Sequence, residues 1–271
     1  MPAEAVSATM TRAFRAYCVG LAKTGTTSMY GIFANFRSDH EYLFEETARV
    51  IADYRCGVID RTQLRDFVRE RDARGALEMD SASFHAHYID ILAEDFPDAR
   101  FIVTMRDCCS WLESLLNMLL LMGTGMPGWM ADYAYRAFGS LFSPEITATR
   151  ETFLEHAPLL AKAALRYWAD TNRFLLSAIP PERRLVIRTK EISSRLDDIA
   201  TFVGVDAARL RSDRAHLYPA PSQSHVLLAL DPMRLKDAVE SSCGDLMHAY
   251  FPEVTVESFL DACARHSTSA S

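Results

Sequence analysis

One segment near the amino terminus restricts the possible folds more than any other. A short apolar run, Tyr17 to Leu21, is followed by a tight turn with Lys23 and Gly25 and then by three consecutive hydroxyl residues. This order predicts a buried strand, a loop and a helix. Backbone N–H groups, the positive end of the helix and the lysine ammonium then converge on one point, which suits a phosphate. The alternative to a phosphate site is a glycine turn that binds no ligand. The predicted phosphate ligands are Lys23, Thr24, Gly25, Thr26, Thr27 and Ser28.

Strand and helix patterns alternate along most of the chain. Besides 17–21, apolar runs predict strands over 76–79, 100–104 and 184–187. Capping residues and helical spacing predict helices over 26–36, 62–74, 86–95, 108–122 and 193–203. Such alternation favours a central parallel sheet flanked by helices, and no repeat or linker divides the sequence. We therefore expect an α/β fold in a single domain over residues 1–271, with ligands at the carboxyl ends of the strands.

Residues 123–179 differ from the rest of the chain. They are rich in Met and aromatic residues, among them Met126, Trp129, Tyr133 and Phe138, and lack the alternation of a strand. This predicts a helical insertion on the substrate side of the domain. Its helices could simply pack on the sheet, or they could form a lid over an acceptor, because Met and aromatic surfaces suit apolar small molecules.

Composition excludes several classes of partner. The 271 residues carry a net charge of −7, which disfavours broad attraction to nucleic acid or to an anionic membrane. The most apolar stretch, 115–122, is far shorter than the roughly 20 residues of a membrane span, and no signal peptide is recognisable. The six cysteines include no CxxC pair, which is typical of free thiols in a reducing compartment. We expect a cytoplasmic protein without membrane insertion.

The phosphate loop is not that of an ordinary nucleotide triphosphatase. That motif, G-x-x-x-x-G-K-[ST], would fit Gly20 and Gly25, but Thr26 stands where the lysine should be and the lysine is at position 23. The strand over 100–104 runs into Arg106 before any acidic residue, so a cation lies where a magnesium site would need an anion. The sequence therefore argues against metal-dependent phosphoryl transfer.

Three segments together resemble a known family. Lys23-Thr-Gly-Thr-Thr-Ser28 is similar to the 5′-phosphosulfate loop of sulfotransferases that use 3′-phosphoadenosine 5′-phosphosulfate, PAPS. Arg106 follows a strand and precedes Ser114 by eight residues, as in the family's 3′-phosphate motif, and Arg184 to Ile192 resembles its late strand. The resemblance spans roughly residues 15–205.

The resemblance implies a donor site and its ligands. The loop would hold the 5′-phosphate, Arg106 and Ser114 would hold the 3′-phosphate, and Arg188 and Thr189 would contribute from the late strand. PAPS would be the donor, adenosine 3′,5′-bisphosphate (PAP) the product, and no metal would be required. Three departures stand out: Ala22 and Cys108 replace the two prolines of the motifs, and the C-terminal Arg-Lys-Gly element that closes over the cofactor in many members has no match.

Sulfuryl transfer also needs a general base and a group that stabilises the departing phosphate. The resemblance assigns the second role to Lys23. For the base it points to the segment after the strand at 76–79, where Asp80 and Glu78 are the leading alternatives and His85 is the third. His85 and His87 could also suggest zinc, but no further ligand follows at suitable spacing.

The expected function is transfer of a sulfuryl group from PAPS to a hydroxyl or amine of a small-molecule acceptor with apolar or aromatic character. A nucleotide-dependent kinase with an unusual phosphate loop and a catalytically silent nucleotide-binding protein are the alternatives. The sequence does not identify the acceptor. A homodimer stays open, because no feature of the sequence fixes the oligomeric state.

Overall fold

The computed structural model describes residues 11–122, 127–138, 149–215 and 225–269, and these contain a parallel sheet of five strands. In spatial order the strands are β2 (Ser38–His40), β3 (Met79–Ser81), β1 (Ala16–Val19), β4 (Arg100–Met105) and β5 (Arg184–Arg188). Because all pairs are parallel, the strands end at one common side, the carboxyl edge, and begin at the opposite amino edge. The predicted α/β class is confirmed.

Helices cover both faces of the sheet. They are α1 (Thr26–Ile32), α2 (Phe44–Arg55), α3 (Arg61–Gly75), α4 (Ile89–Asp95), α5 (Cys108–Met122), α6 (Gly128–Phe138), α7 (Arg150–Ala178), α8 (Leu196–Val203), α9 (Pro232–Tyr250) and α10 (Val256–Ser269). Short 3₁₀ turns lie at Ser83–His87 and Thr189–Ser194, directly after β3 and β5. No helix among the described residues is long and apolar enough to cross a membrane.

The core follows the alternation of side chains along β1. Tyr17 and Val19 face one layer with α2, α3 and α4, whereas Ala16 and Cys18 face the opposite layer with α1 and α8. A third cluster joins α5, α7, α9 and α10, and Trp168 of α7 is fully buried in it. Strands with apolar side chains on both faces are the expected signature of a covered parallel sheet.

Two sequence predictions about strands are wrong. The strand expected over 76–79 is β3 at Met79–Ser81. It begins later because Ala76 ends α3 in a left-handed conformation. The backbone N–H of Glu78 then donates to the carbonyl of Arg37, before the hydrogen bonds between β3 and its neighbouring strands begin. The edge strand β2 was not predicted, since Ser38-Asp-His has no apolar residue. The helix expected over 26–36 also ends earlier, at Ile32.

The predicted insertion over 123–179 is helical where it is described. Its described parts are α6 and α7, and residues 123–126 and 139–148 lie outside the described residues. Phe153 and Trp168 of α7 are buried in the core, so this helix is part of the domain's packing. A substrate-side role for the segment stays a prediction.

Candidate active site

The loop between β1 and α1 lies at the carboxyl edge and has an unusual backbone. Gly25 (φ 106°) and Lys23 (φ 73°) both adopt left-handed conformations, which cost a lysine more than a glycine. Gly20 permits the tight passage of β1 beside β4, because a Cβ there would lie 2.4 Å from the hydroxyl oxygens of both Thr104 and Thr24. This strain and close packing fix the loop in one shape, as a preformed anion site requires.

Neighbouring elements hold the loop from outside. The Thr24 hydroxyl donates to the Leu21 carbonyl (2.7 Å), and the Trp111 indole N–H donates to the Ala22 carbonyl (2.9 Å). Thr189, just after β5, donates to the Thr24 carbonyl (2.6 Å). These contacts supply the rigidity that the missing proline at position 22 would have given. They also show that Thr24 and Thr189 use their hydroxyls to brace the loop.

Lys23 and Arg106, predicted to bind the 5′- and 3′-phosphates of one nucleotide, lie next to each other at this loop. Nη1 of Arg106 donates to the Lys23 carbonyl at 3.4 Å, and its Nε donates to the Ser110 hydroxyl at 3.0 Å. The Trp168 indole N–H binds the Arg106 carbonyl and fixes the end of β4 (3.0 Å). Burial and the neighbouring Arg106 lower the pKa of Lys23, and burial lowers the pKa of Arg106. Burial disfavours the charged forms of both side chains, and a bound anion would offset this cost.

The remaining predicted phosphate ligands divide into two groups. Thr26, Thr27 and Ser28 lie in the first turn of α1, at the loop. On α5 the hydroxyl that contacts the guanidinium of Arg106 belongs to Ser110, a residue the sequence analysis did not single out. Ser114 lies one turn further along and is buried. Ser110 and Ser114 lie on the same face of α5, with Ser110 closer to Arg106, and the role of Ser114 as a phosphate ligand stays a prediction.

Arg188 does not fit its predicted role as a phosphate ligand. Its guanidinium forms ion pairs with Glu253 and Glu191, each at 2.8 Å, and Nη1 also donates to the Tyr250 carbonyl. These contacts turn the side chain toward α9 and the segment after it. Two carboxylates already neutralise the charge, so Arg188 stabilises the fold there.

Asp80 is unsuited to the general-base role predicted for it. The guanidinium of Arg71 binds both of its carboxylate oxygens, and Nε2 of His85 lies 3.4 Å from Oδ2. Arg71 and Asp80 are only 2% and 4% exposed. Burial alone would raise the pKa of Asp80, but His85 and Arg71 outweigh it and hold the pKa well below its ordinary range. A carboxylate bound in this way is a poor proton acceptor.

The other two base candidates are also placed unfavourably. Glu78 lies before β3 at the amino edge, on the opposite side of the sheet from the loop, and accepts hydrogen bonds from the backbone N–H groups of Ala13 and Arg37 (3.0 Å each). His85 is fully buried, with Nδ1 3.2 Å from the Cys18 carbonyl. Neither side chain can reach an acceptor at the loop without rearrangement.

A histidine that sequence analysis missed does lie at the loop. His40 ends β2 at the carboxyl edge, and its Nε2 lies 3.1 Å from the Thr26 hydroxyl and 3.2 Å from that of Thr27. Burial lowers its pKa, so the imidazole is neutral at pH 7 and can accept a proton. The described residues contain no group of three His, Cys, Asp or Glu side chains that could hold a metal ion.

Comparisons with known proteins agree with this geometry. A family model described as a sulfotransferase domain matches residues 17–210, which is more than half of the chain. No curated protein sequence gives a significant match.

Similar solved structures are bacterial or biosynthetic sulfotransferases. Sulfotransferase STF9 from Mycobacterium avium is 14% identical with a TM-score of 0.51, over 88% of this chain and 76% of that one. A sulfotransferase from Alicyclobacillus acidocaldarius is 18% identical with a TM-score of 0.44, over 85% of this chain and 96% of that one. The sulfotransferase domain of the curacin biosynthetic pathway is 14% identical with a TM-score of 0.38, over 82% of this chain and 79% of that one. At 14% identity and a TM-score of 0.51, the STF9 structure supports the fold alone. The family model, together with the predicted phosphate loop, shows that this chain belongs to the sulfotransferase family.

Proposed function

We propose that this protein transfers a sulfuryl group from PAPS to a hydroxyl or amine of a small-molecule acceptor. The observation that carries the proposal is the meeting of Lys23 and Arg106 at one strained loop, on a chain of the sulfotransferase family. None of the six cysteines forms a disulfide, which fits a reducing compartment, and we place the reaction in the cytoplasm.

The donor set fits a doubly phosphorylated nucleotide. The loop offers backbone N–H groups, the Thr26 and Thr27 hydroxyls and the Lys23 ammonium for the 5′-phosphate. Arg106, with Ser110 and Ser114 on the following helix, offers a separate cationic site for the 3′-phosphate. Bound PAPS would supply an activated sulfuryl group, which carries less charge than a phosphoryl group.

Lys23 is positioned for the electrostatic part of the reaction. As the acceptor oxygen bonds to sulfur and the bond from sulfur to the phosphate oxygen breaks, negative charge grows on that phosphate oxygen. The ammonium of Lys23, held in a fixed backbone conformation, would stabilise this charge. Its lowered pKa also lets it give a proton to the departing group more readily than an exposed lysine would.

His40 takes the place of the carboxylates as the proposed general base. Its imidazole borders the two loop hydroxyls that would hold the 5′-phosphate, and it is half-buried, so an acceptor can reach it. It would take the proton of the acceptor hydroxyl during attack. The ion pair of Asp80 with Arg71 would instead stabilise the neighbouring β3, on which the position of β2 and His40 depends.

Titration calorimetry with PAP, without added metal, tests the donor site. We expect binding, and we expect Lys23→Ala or Arg106→Ala to weaken it about tenfold to a hundredfold, since charged hydrogen bonds contribute about 1.5–3 kcal/mol. Arg100→Gln is the matched control, because Arg100 begins the same strand at the amino edge. Absence of binding by the unmodified protein refutes the proposal; phosphate release from ATP with Mg²⁺ in that case would favour the kinase alternative.

A further inference from the structure

A large cavity lies apart from the phosphate loop, and no residue of the loop lines it. It has a volume of about 900 Å³ and lies along α7, facing α2, α3, α4 and α9. We call it the α7 groove, and the side chains that matter for its chemistry are Arg55, His87, Leu159, Lys162, Arg166 and Phe174. This volume is in the range of small-molecule sites.

Two buried tryptophans lie between the α7 groove and the phosphate loop. Tyr167, in the groove wall, packs against Trp111 with ring centroids 6.5 Å apart, and the Trp111 indole N–H donates to the Ala22 carbonyl of the loop. The indole N–H of the next residue along α7, Trp168, donates to the Arg106 carbonyl. Buried side chains therefore separate the groove from the predicted donor site, so the groove is a site of its own.

Positive charge is concentrated in the groove, in a chain whose net charge is −7. Lys162 and Arg166 are exposed on successive turns of α7, and neither forms an ion pair within the described part of the chain. Arg55 lies close enough to His87 that its charge, added to burial, lowers the pKa of that histidine to about 4.

The groove's acidic residues are already paired. Asp90 pairs with Arg61 at 2.5 Å, and Asp170 lies 3.4 Å from Arg173. Arg61 also lines the groove, but neither acid pairs with Lys162 or Arg166, so the groove carries an excess of positive charge.

Large apolar side chains flank this charge. Leu159 is 59% exposed and Phe174 is 38% exposed, and both line the groove. They are fifteen residues apart on one helix, which corresponds to roughly 22 Å along its axis. Exposed apolar area on both sides of a cationic centre matches an elongated molecule that is apolar along its length and carries an anionic group.

We propose that the α7 groove binds an anionic amphipathic small molecule, whose carboxylate, phosphate or sulfate is held by Lys162 and Arg166. This site is distinct from the donor site, and the proposal does not depend on the sulfuryl-transfer reaction.

The test measures fluorescence of anilinonaphthalene sulfonate, an anionic amphipathic probe, with full-length protein saturated with PAP. We expect the double variant Lys162→Gln/Arg166→Gln to bind the probe about tenfold more weakly than the unmodified protein. Arg150→Gln/Arg234→Gln removes two exposed arginines outside the groove and should leave the affinity unchanged. Decanoate should displace the probe at about tenfold lower concentration than decyltrimethylammonium of equal chain length.

Separate readouts keep the two proposals apart. PAP titration of the double variant should match the unmodified protein, and loss of PAP binding by the unmodified protein would refute the donor assignment whatever the probe does. Equal probe affinity in both double variants, equal displacement by the two amphiphiles, or competition between probe and PAP would overturn the groove proposal. A concentration-dependent dimer in sedimentation experiments would also overturn the groove proposal if Lys162→Gln/Arg166→Gln dissociated it. The groove would then be an interface between two copies of the protein.

Discussion

Replacement of Asp80 by asparagine separates a structural from a catalytic role for this residue. In Asp80→Asn the guanidinium of Arg71, 2% exposed, keeps its position but loses its counter-ion. Breaking a buried ion pair by removing one partner costs about 3–5 kcal/mol, because the other charge stays desolvated. We expect the free energy of unfolding to fall by that amount at pH 7. If Asp80 were instead an accessible base, the substitution would cost turnover and little stability.

Urea unfolding followed by circular dichroism measures this change, provided that the transition is two-state. Asp98→Asn is the control, since Asp98 is exposed and its pair with Arg15 should contribute about 0–1 kcal/mol. Arg71→Met/Asp80→Leu removes both charges and should regain most of the loss. A variant Asp80→Asn as stable as the unmodified protein would refute the reasoning.

The same pair predicts a dependence on pH. The pKa of Asp80 is lower in the folded protein than the value of about 3.9 in the unfolded chain, so its stabilising contribution is complete above that value. It is lost as the pH falls through the folded pKa. The difference in unfolding free energy between the unmodified protein and Asp80→Asn should therefore narrow below about pH 4, and a difference that widens there would contradict the assignment.

Two further substitutions probe the loop itself. His40→Gln should lower kcat about a hundredfold or more with hydroxyphenylpropionate as model acceptor. We expect the rate of the unmodified protein to decline as the pH falls through the lowered pKa of His40, and the variant should lack this decline. Unchanged PAP affinity by calorimetry would distinguish loss of the base from damage to the loop. Gly20→Ala places a methyl group 2.4 Å from two hydroxyl oxygens and should cost about 1–3 kcal/mol or more in urea unfolding. Gly128→Ala is the control, because a Cβ there meets no atom within 4 Å and Gly128 does not have a positive φ.

The sequence predicted those parts of the site that are encoded locally. Lys23, Gly25 and the hydroxyls of α1 follow one another in the chain, and the strand, loop and helix that carry them have strong patterns of their own. Arg106 was predicted because it ends an apolar strand of six residues, and parallel pairing with β1 brings that end to the loop. In these cases the position in the fold follows from the pattern of a single segment.

The proposed general base could not be predicted from the sequence, because the proposal depends on contacts between distant segments and on the exact start of a strand. The strand predicted over 76–79 is β3 at Met79–Ser81, so Glu78 lies at the amino edge instead of in the middle of the strand. Asp80 then lies within the sheet, where it pairs with Arg71 of α3. No local sequence pattern predicts this contact between α3 and β3. His40 reaches the loop only because a three-residue polar strand pairs with β3. A strand without an apolar pattern is held by its hydrogen-bond ladder alone, so sequence periodicity carries no signal for it. His40, at the end of this strand, becomes a candidate base only once the order of the strands in the sheet is known.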